Sequence, residues 1–328
     1  MMKALSISMP ESIAIYVTIS NTPTISAFPK FLPDEIIYGE ITRGDHVLMI
    51  QETLFSCGGI AIGVVASHKI FDATALCAFM KTWATIARDS IEGALAPDFS
   101  ASSIFPQNHS FPEDLTTSAL ASVLYKNNMS VTKRFVFDGS ILSNLNAKAA
   151  SSIVPNPTHV EVASAFIVKC MLSALKKVKP CIQKSVLVGN LVNMRRRVVP
   201  QFPENSLGNF VMIALMMSKS EGEGIELCDF VHQMREAVKA INDDVVKSFE
   251  GDEGSENLCG AMKEILELSL KSVSEGMALA LLIAGATLGH MKSITGGESL
   301  FGFCFPVWRK RWLSMRSILW NMMRNYSL

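Results

Sequence analysis

The chain has 328 residues, 49% of them hydrophobic and 18% charged, with a formal net charge of zero. That length accommodates two domains with sizeable cores, and balanced charge without a Lys/Arg block leaves no electrostatic footprint for nucleic acid. Seven scattered cysteines, at 57, 77, 170, 181, 228, 259 and 304, form no Cys-x-x-Cys pair and so no zinc or redox signature.

The first residues, MMKALSISMPESIAIYV, set one Lys, a Pro and a Glu in a weakly apolar run. They lack the apolar core and cleavage site of a secretory leader, and an odd cysteine count then fits reduced thiols in the cytoplasm. Residues 13–19 read as a strand. Pro29 and Pro33 frame a turn. Residues 46–54, HVLMIQETL, read as a strand pairing with the apolar run 60–66, with Gly58 and Gly59 at the turn between them. The run is short and partly β-branched, which makes it a buried strand. Ser67-His68-Lys69-Ile70-Phe71-Asp72-Ala73 follows. Beyond Asp72, the residues Leu76, Phe79, Met80, Trp83, Ile86 and Ala87 recur at helical spacing. His68 therefore stands where a core strand ends and a loop leads into a helix. A rigid element holds a residue there while the loop exposes it.

Residues 97–112, mixing Pro, Phe, Ser and Asn, read as a loop without an element of its own. Residues 131–138 alternate as a strand, and 141–150 form a short helix. Thr158 is placed to cap a helix running through Val160, Val162, Phe166, Val168, Cys170, Leu172 and Leu175, with Glu161 as its box partner. Residues 185–192 read as a strand leading into Asn193 and the triplet Arg195-Arg196-Arg197, and 209–217 as a second apolar strand. Residues 228–242 make an amphipathic helix with Phe230, Val231, Met234, Val238 and Ile241 on one face. The acidic, Gly-containing residues 250–256 read as a loop, and 262–270 and 273–282 as helices. The most apolar run, residues 277–289, is too short to span a bilayer and reads as a buried helix, so no membrane association is expected. Residues 308–328, rich in Arg and Trp, differ from the chain before them and read as a solvated amphipathic helix.

His46, His109, His159, His232 and His290 are isolated, without metal-ligand spacing, so no metal site is expected. No Gly-rich phosphate loop occurs. His68 stands apart through the spacing His-x-x-x-Asp to Asp72. Its ordinary pKa near neutrality suits a general base. The same residues also allow a hydrogen-bonded histidine at a strand end, with Asp72 capping the next helix. Cys57 and Cys77 flank His68. A Cys–His nucleophile pair and inert buried thiols are both open, and the apolar frame favours the second.

Two stretches carry a resemblance to a known family. CGGIAIGVVASHKIFDA, residues 57–73, is one. NLVNMRRR, residues 190–197, followed by PENSLGN, residues 203–209, is the other. In content and order they resemble the His-x-x-x-Asp, Asn-x-Arg and Gly-Asn regions of the plant BAHD family of acyl-CoA-dependent acyltransferases, over roughly residues 30–290. They look most like the vinorine synthase-like branch of that family, with its alkaloid and alcohol acetyltransferases. The resemblance implies an α/β fold of two chloramphenicol-acetyltransferase-like halves, each a mixed sheet with helices, with the active-site channel between them. Residues 1–120 would be the N-terminal half, incomplete, and 121–328 the C-terminal half with the NMRRR segment and an atypical tail. A connector between the halves would include residues 115–124.

The resemblance also implies a reaction: transfer of an acyl group, above all acetyl, from acyl-CoA to a hydroxyl or amine of a plant specialised metabolite, without an acyl-enzyme. His68 would be the general base and would then protonate the CoA sulfur. Asp72 would pair with Arg195 and shape the site, a plain helix cap being the alternative. Arg196 and Arg197 would contact the CoA phosphates or form a solvated basic loop. Asn193 and Ser206 would be polar contacts near the channel, and Gly208-Asn209 a tight turn. Acyl-CoA is then a co-substrate, no cofactor is bound permanently, and a cytoplasmic monomer is expected. The chain departs from the family in lacking the second signature, Asp-Phe-Gly-Trp-Gly, and the sizeable stretch that precedes the core strand in the family. These departures imply a truncated member or a fragmentary gene prediction. They keep an inactive relative or binding protein as the alternative, with a hydrolase behind it, and they leave the oxyanion stabiliser unnamed.

Overall fold

Apolar runs with little polar interruption build two mixed sheets, each backed by helices. The structure, a computed structural model, describes residues 6–8, 30–33, 47–54, 59–68, 70–87, 91–106, 137–178, 185–219, 226–274, 278–282, 292–296 and 300–308. In the first sheet β1 (Ser6–Ser8) runs parallel to β2 (Leu48–Leu54), which is antiparallel to β3 (Gly59–Ser67), from Leu48 opposite Ala66 to Leu54 opposite Ile60.

The two faces of β3 do different things, because side chains alternate along a strand. Ile60, Ile62, Val64 and Ala66 pack with Leu48 and Ile50 onto α1 (Ala73–Ile86) through Leu76, Met80 and Trp83. Each large side chain buried there contributes about 1.5–3 kcal/mol relative to exposure. On the other face Val65 and Met49 meet Leu32. A Cβ at Gly63 would stand 1.8 Å from the Phe31 carbonyl oxygen, so glycine is what lets residues 30–33 lie across the strand.

The second sheet is centred on β4 (Ser185–Asn193), antiparallel to β5 (Val211–Lys219) and parallel to β6 (Ala278–Leu282). Between the sheets in sequence come one turn of helix, α2 (Ala101–Ile104), then α3 (Gly139–Ala149) and α4 (His159–Val178). Val186, Val188 and Met216 pack against Val162, Ala165 and Val168 of α4 and against Phe230, Val231 and Met234 of α5 (Leu227–Ala240). The expected box at α4 is made: Thr158 N–H donates to Glu161 Oε2 at 2.7 Å and Glu161 N–H to Thr158 Oγ1 at 3.2 Å. Then follow α6 (Asp243–Lys247) and α7 (Gly251–Ser274). Finally β7 (Lys292–Gly296) and β8 (Leu300–Trp308) return to the first sheet, giving the order β1-β2-β3-β8-β7. The fold is α/β, with a mixed sheet and helices in each part.

Four expectations are corrected. Residues 250–256 are not a loop, for α7 begins at Gly251. Asp252 and Glu253 fall in its first turn, where carboxylates complement the exposed N–H groups. Neither the helix read over 273–282 nor the apolar run from 277 is helical at 278–282, since those residues form β6 beside β4 and α7 ends at Ser274. A short apolar run has no periodicity to separate the two. Within 97–112 stands α2, one turn too short to show a period. The readings at residues 13–19, 115–124, 131–136 and 309–328, and the division at 120/121, lie outside the described residues. β7 and β8, from residues 292–308, join the sheet of the N-terminal strands. Among the described residues no helix is long and apolar enough to cross a membrane, and no group of His, Cys, Asp and Glu could hold a metal ion.

Candidate functional site

His68 begins the turn that follows β3. Phe71 N–H and Ile70 N–H both donate to the Ser67 carbonyl, at 3.0 and 3.1 Å, which closes the chain tightly before α1. The half-buried ring meets the second part of the chain at Asn209. His68 Nδ1 lies 3.0 Å from Asn209 Oδ1, and Asn209 Nδ2 donates to the His68 carbonyl oxygen. These two contacts suit one tautomer of the ring. A backbone carbonyl only accepts, so the NH₂ of Asn209 faces it and Oδ1 faces the ring. In the tautomer that suits this contact, Nδ1 carries the proton and Nε2 the lone pair. Burial lowers the His68 pKa from 6.5, against smaller opposing contributions from its own backbone, Asn209 and the charge of Asp72. The ring is therefore held neutral at neutral pH.

Asp72 has a different task. Its Oδ1 accepts from Ala75 N–H at 2.8 Å and caps α1. Its Oδ2 accepts from Arg195 Nη1 at 2.6 Å and from Phe210 N–H at 3.0 Å. Arg195 and Asp72 are 0% and 1% exposed, so the pair is fully desolvated. Further acceptors around the guanidinium offset that desolvation, although Arg195 Nε stays buried without a hydrogen-bond partner among the described residues. Arg195 Nη2 donates to the carbonyls of Ser206 at 2.9 Å and Gly208 at 3.2 Å, and the guanidinium lies 4.5 Å from the Phe210 ring centre, where the π face attracts it. The pair and the cap are thus one arrangement, made by the two oxygens of a single carboxylate.

The other residues singled out from the sequence divide. Asn193 ends β4 with both side-chain groups engaged internally: Oδ1 accepts from Arg195 N–H at 3.0 Å, and Nδ2 donates to Thr74 Oγ1 at 3.2 Å. Ser206 is buried and its hydroxyl donates to Asp98 Oδ2 at 2.6 Å. Arg196 points to solvent and pairs with Glu204 at 2.5 Å. Arg197 is half-buried, without an ion-pair partner among the described residues. Cys57 lies outside the described residues. The Cys77 thiol is pushed up by burial and by the charge of Asp72, which favours the inert thiol over a nucleophile. Asn209, Thr74 and Asp98 are the participants that sequence reasoning passed over. Asn209 had one available signal, its place in the Gly-Asn match, but a Gly-Asn pair reads first as a turn. Thr74 and Asp98 had none.

A model described as the Transferase family matches residues 18–284. The chain belongs to this family, the BAHD transferases. Among curated relatives, epi-neemfruitin B 7-O-acetyltransferase of Melia azedarach is 39% identical over 236 residues, 71% of this chain and 51% of that protein. Limonoid 7-O-acetyltransferase of Citrus sinensis is 39% identical over 72% of this chain and 52% of its own length. This BAHD chain therefore spans about half the length of the curated relatives it matches. Among solved structures, vinorine synthase superposes with a TM-score of 0.62 at 22% identity, over 87% of this chain and 68% of that one. F. sporotrichioides TRI101 complexed with coenzyme A and T-2 superposes with a TM-score of 0.54 at 13% identity, over 95% and 78%. Both likenesses are of fold.

Proposed function

We propose that this BAHD chain transfers an acyl group from acyl-CoA to a hydroxyl or amine of a plant specialised metabolite, with His68 as general base. The observation that carries the reading is the contact of the His68 ring with Asn209: Asn209 Oδ1 accepts from Nδ1–H in this reading, which makes Nε2 the basic nitrogen. Nε2 takes the acceptor's proton as its oxygen or nitrogen attacks the thioester carbonyl. The tetrahedral intermediate then collapses, the C–S bond breaks, and the imidazolium returns its proton to the departing CoA sulfur. Proton and leaving group balance without an acyl-enzyme. Asp72 and Arg195 contribute shape and not proton transfer, because the carboxylate oxygens already accept from Ala75, Arg195 and Phe210.

Acetyl is the acyl group this reading favours, on the names of the two O-acetyltransferases above. A relative named as an N-malonyltransferase, from Strychnos nux-vomica and 37% identical over 56% of this chain, makes malonyl-CoA the second donor to try. A limonoid alcohol is the first acceptor class to try. Arg197 is the better contact for CoA phosphate, because Arg196 is already paired with Glu204. Acyl-CoA serves as a co-substrate in this scheme, with no resident cofactor and no metal. The test is thiol release from acetyl- and malonyl-CoA by the 328-residue protein with a pool of limonoid and alkaloid alcohols. Acceptor-dependent release that disappears in His68→Ala supports the reading. Release without acceptor points to a hydrolase, and CoA binding without turnover to a binding protein.

A further inference from the structure

We infer that Asp98 is a positioning residue for His68, acting through Ser206 and the 205–209 segment; the inference rests on His68 being the base. Asp98 lies in the loop beyond α1 and pairs with the segment as a short parallel bridge. Its N–H donates to the Asn205 carbonyl at 3.0 Å, and Leu207 N–H donates to its carbonyl at 2.8 Å. Its carboxylate accepts from Ser206 Oγ at 2.6 Å and is braced by Ser100, whose N–H and hydroxyl donate at 3.1 and 2.8 Å. Asn205 Nδ2 adds a donation to the Ala96 carbonyl at 2.5 Å. Arg195 holds the same segment from its other side, at the carbonyls of Ser206 and Gly208. Residues 205–208 are thus gripped between two loops, and Asn209, the partner of His68 Nδ1, is carried at their end.

Two features make the outer grip consequential. Ser206 is 1% exposed, so its hydroxyl needs the Asp98 acceptor. Gly208 has φ +144°, a backbone state that glycine leaves readily, and it stands between the gripped Ser206 and Asn209. Losing the Ser206–Asp98 bond leaves the segment held by Arg195 and the backbone bridge alone, and Gly208 is where it can then yield. Asn209 then loses its aim at the ring, and the Nδ1–H tautomer loses its preference.

The experiment compares Asp98→Ala, Ser206→Ala and the double variant by ¹⁵N NMR of histidine-labelled protein and by kinetics, with His68→Gln to assign the resonance. In the unaltered protein His68 is expected as a single Nδ1–H tautomer. Each single variant moves it toward the Nε2–H form. Each lowers kcat by about 10- to 100-fold, as small misplacements of catalytic groups do, with KM changed less than about twofold. The double variant is no worse than Asp98→Ala, because both single variants remove the same Ser206–Asp98 bond and only Asp98→Ala also releases Ser100. Single variants that keep the tautomer and kcat, or losses that multiply in the double variant, overturn the proposal. Should Asp98→Ala fail to fold, Ser206→Ala, which loses one hydroxyl, decides alone. Should the unaltered protein turn over no acceptor, the acyl-transfer reading fails, while the tautomer comparison still judges Asp98.

Discussion

At His68, the balance between burial and hydrogen bonding decides when the ring can act. Burial is the largest influence and lowers the pKa from 6.5, so the folded ring holds a proton less tightly than the unfolded chain does. For a base, kcat/KM should rise through a single acid limb whose midpoint lies below 6.5; a pH–rate profile with its midpoint above 6.5 contradicts this assignment. The stability sign follows the same linkage. As pH falls below 6.5 the unfolded chain protonates first, so stability present above 6.5 is lost as pH falls toward the folded pKa. Beside this ring, Asp72→Asn keeps an oxygen for the Ala75 cap but leaves Arg195 buried without its counter-charge. A loss of about 3–5 kcal/mol is expected in denaturant titration. Adding Arg195→Met should recover much of that stability, since a buried pair is replaceable by apolar packing. It should not recover turnover, because the carbonyls of Ser206 and Gly208 lose their donor. Recovery of both would mean that the pair serves stability alone. His68 stood out in the sequence through the spacing His-x-x-x-Asp, whereas Arg195 was singled out only through the family resemblance at Asn193-Met194-Arg195. Asn209 and Asp98 were not, because their roles arise from contacts across 141 and 108 residues that no local pattern encodes.

Among the elements, those with a period or a cap were read well and those without were not. The strand 60–66, the box at Thr158 and the face of α5 all carry local signals that tertiary contacts reinforce. α7 was misjudged at its start because glycines and acids also mark loops, and β6 because a run of five apolar residues has no period of its own. Gly63 illustrates a further kind of hidden information: its reason is the Phe31 carbonyl, more than thirty residues upstream. Gly63→Ala should push residues 30–33 off β3 and lower the melting temperature by several degrees or block folding. Gly139→Ala, in α3 with no atom within 4 Å of the added Cβ, should leave stability unchanged or raise it by about 0.5–1 kcal/mol. Thermal melts of the two variants side by side check the contrast. Equal losses at both positions would show that the close approach at Gly63 is not what selects glycine.

Across the molecule, the same small region that holds the site also joins the two sheets. His68 reaches Asn209, Asp72 reaches Arg195 and Phe210, Thr74 reaches Asn193, and Asp98 reaches Ser206. Phe105, just beyond α2, adds an edge-on ring contact to Phe202 at 5.9 Å and to Phe210 at 5.8 Å. Every one of these links runs from residues 68–105 to residues 193–210. Outside them, each sheet has its own core, around Trp83 in one case and around Phe230 in the other. Two cores joined by a seam that is part polar and part aromatic behave as one unfolding unit only while the seam outweighs the independence of its parts. Its centre is a desolvated ion pair, whose breakage leaves a buried charge in whichever part stays folded. Opening one sheet should therefore open the other. Native-state hydrogen exchange should show the amides of β3 and β4 converging on one global opening as denaturant rises. In Asp72→Asn the two sets should separate, β3 and β4 exchanging through openings of different free energy. Separate openings already present in the unaltered protein would show that the seam aligns the site without coupling the sheets.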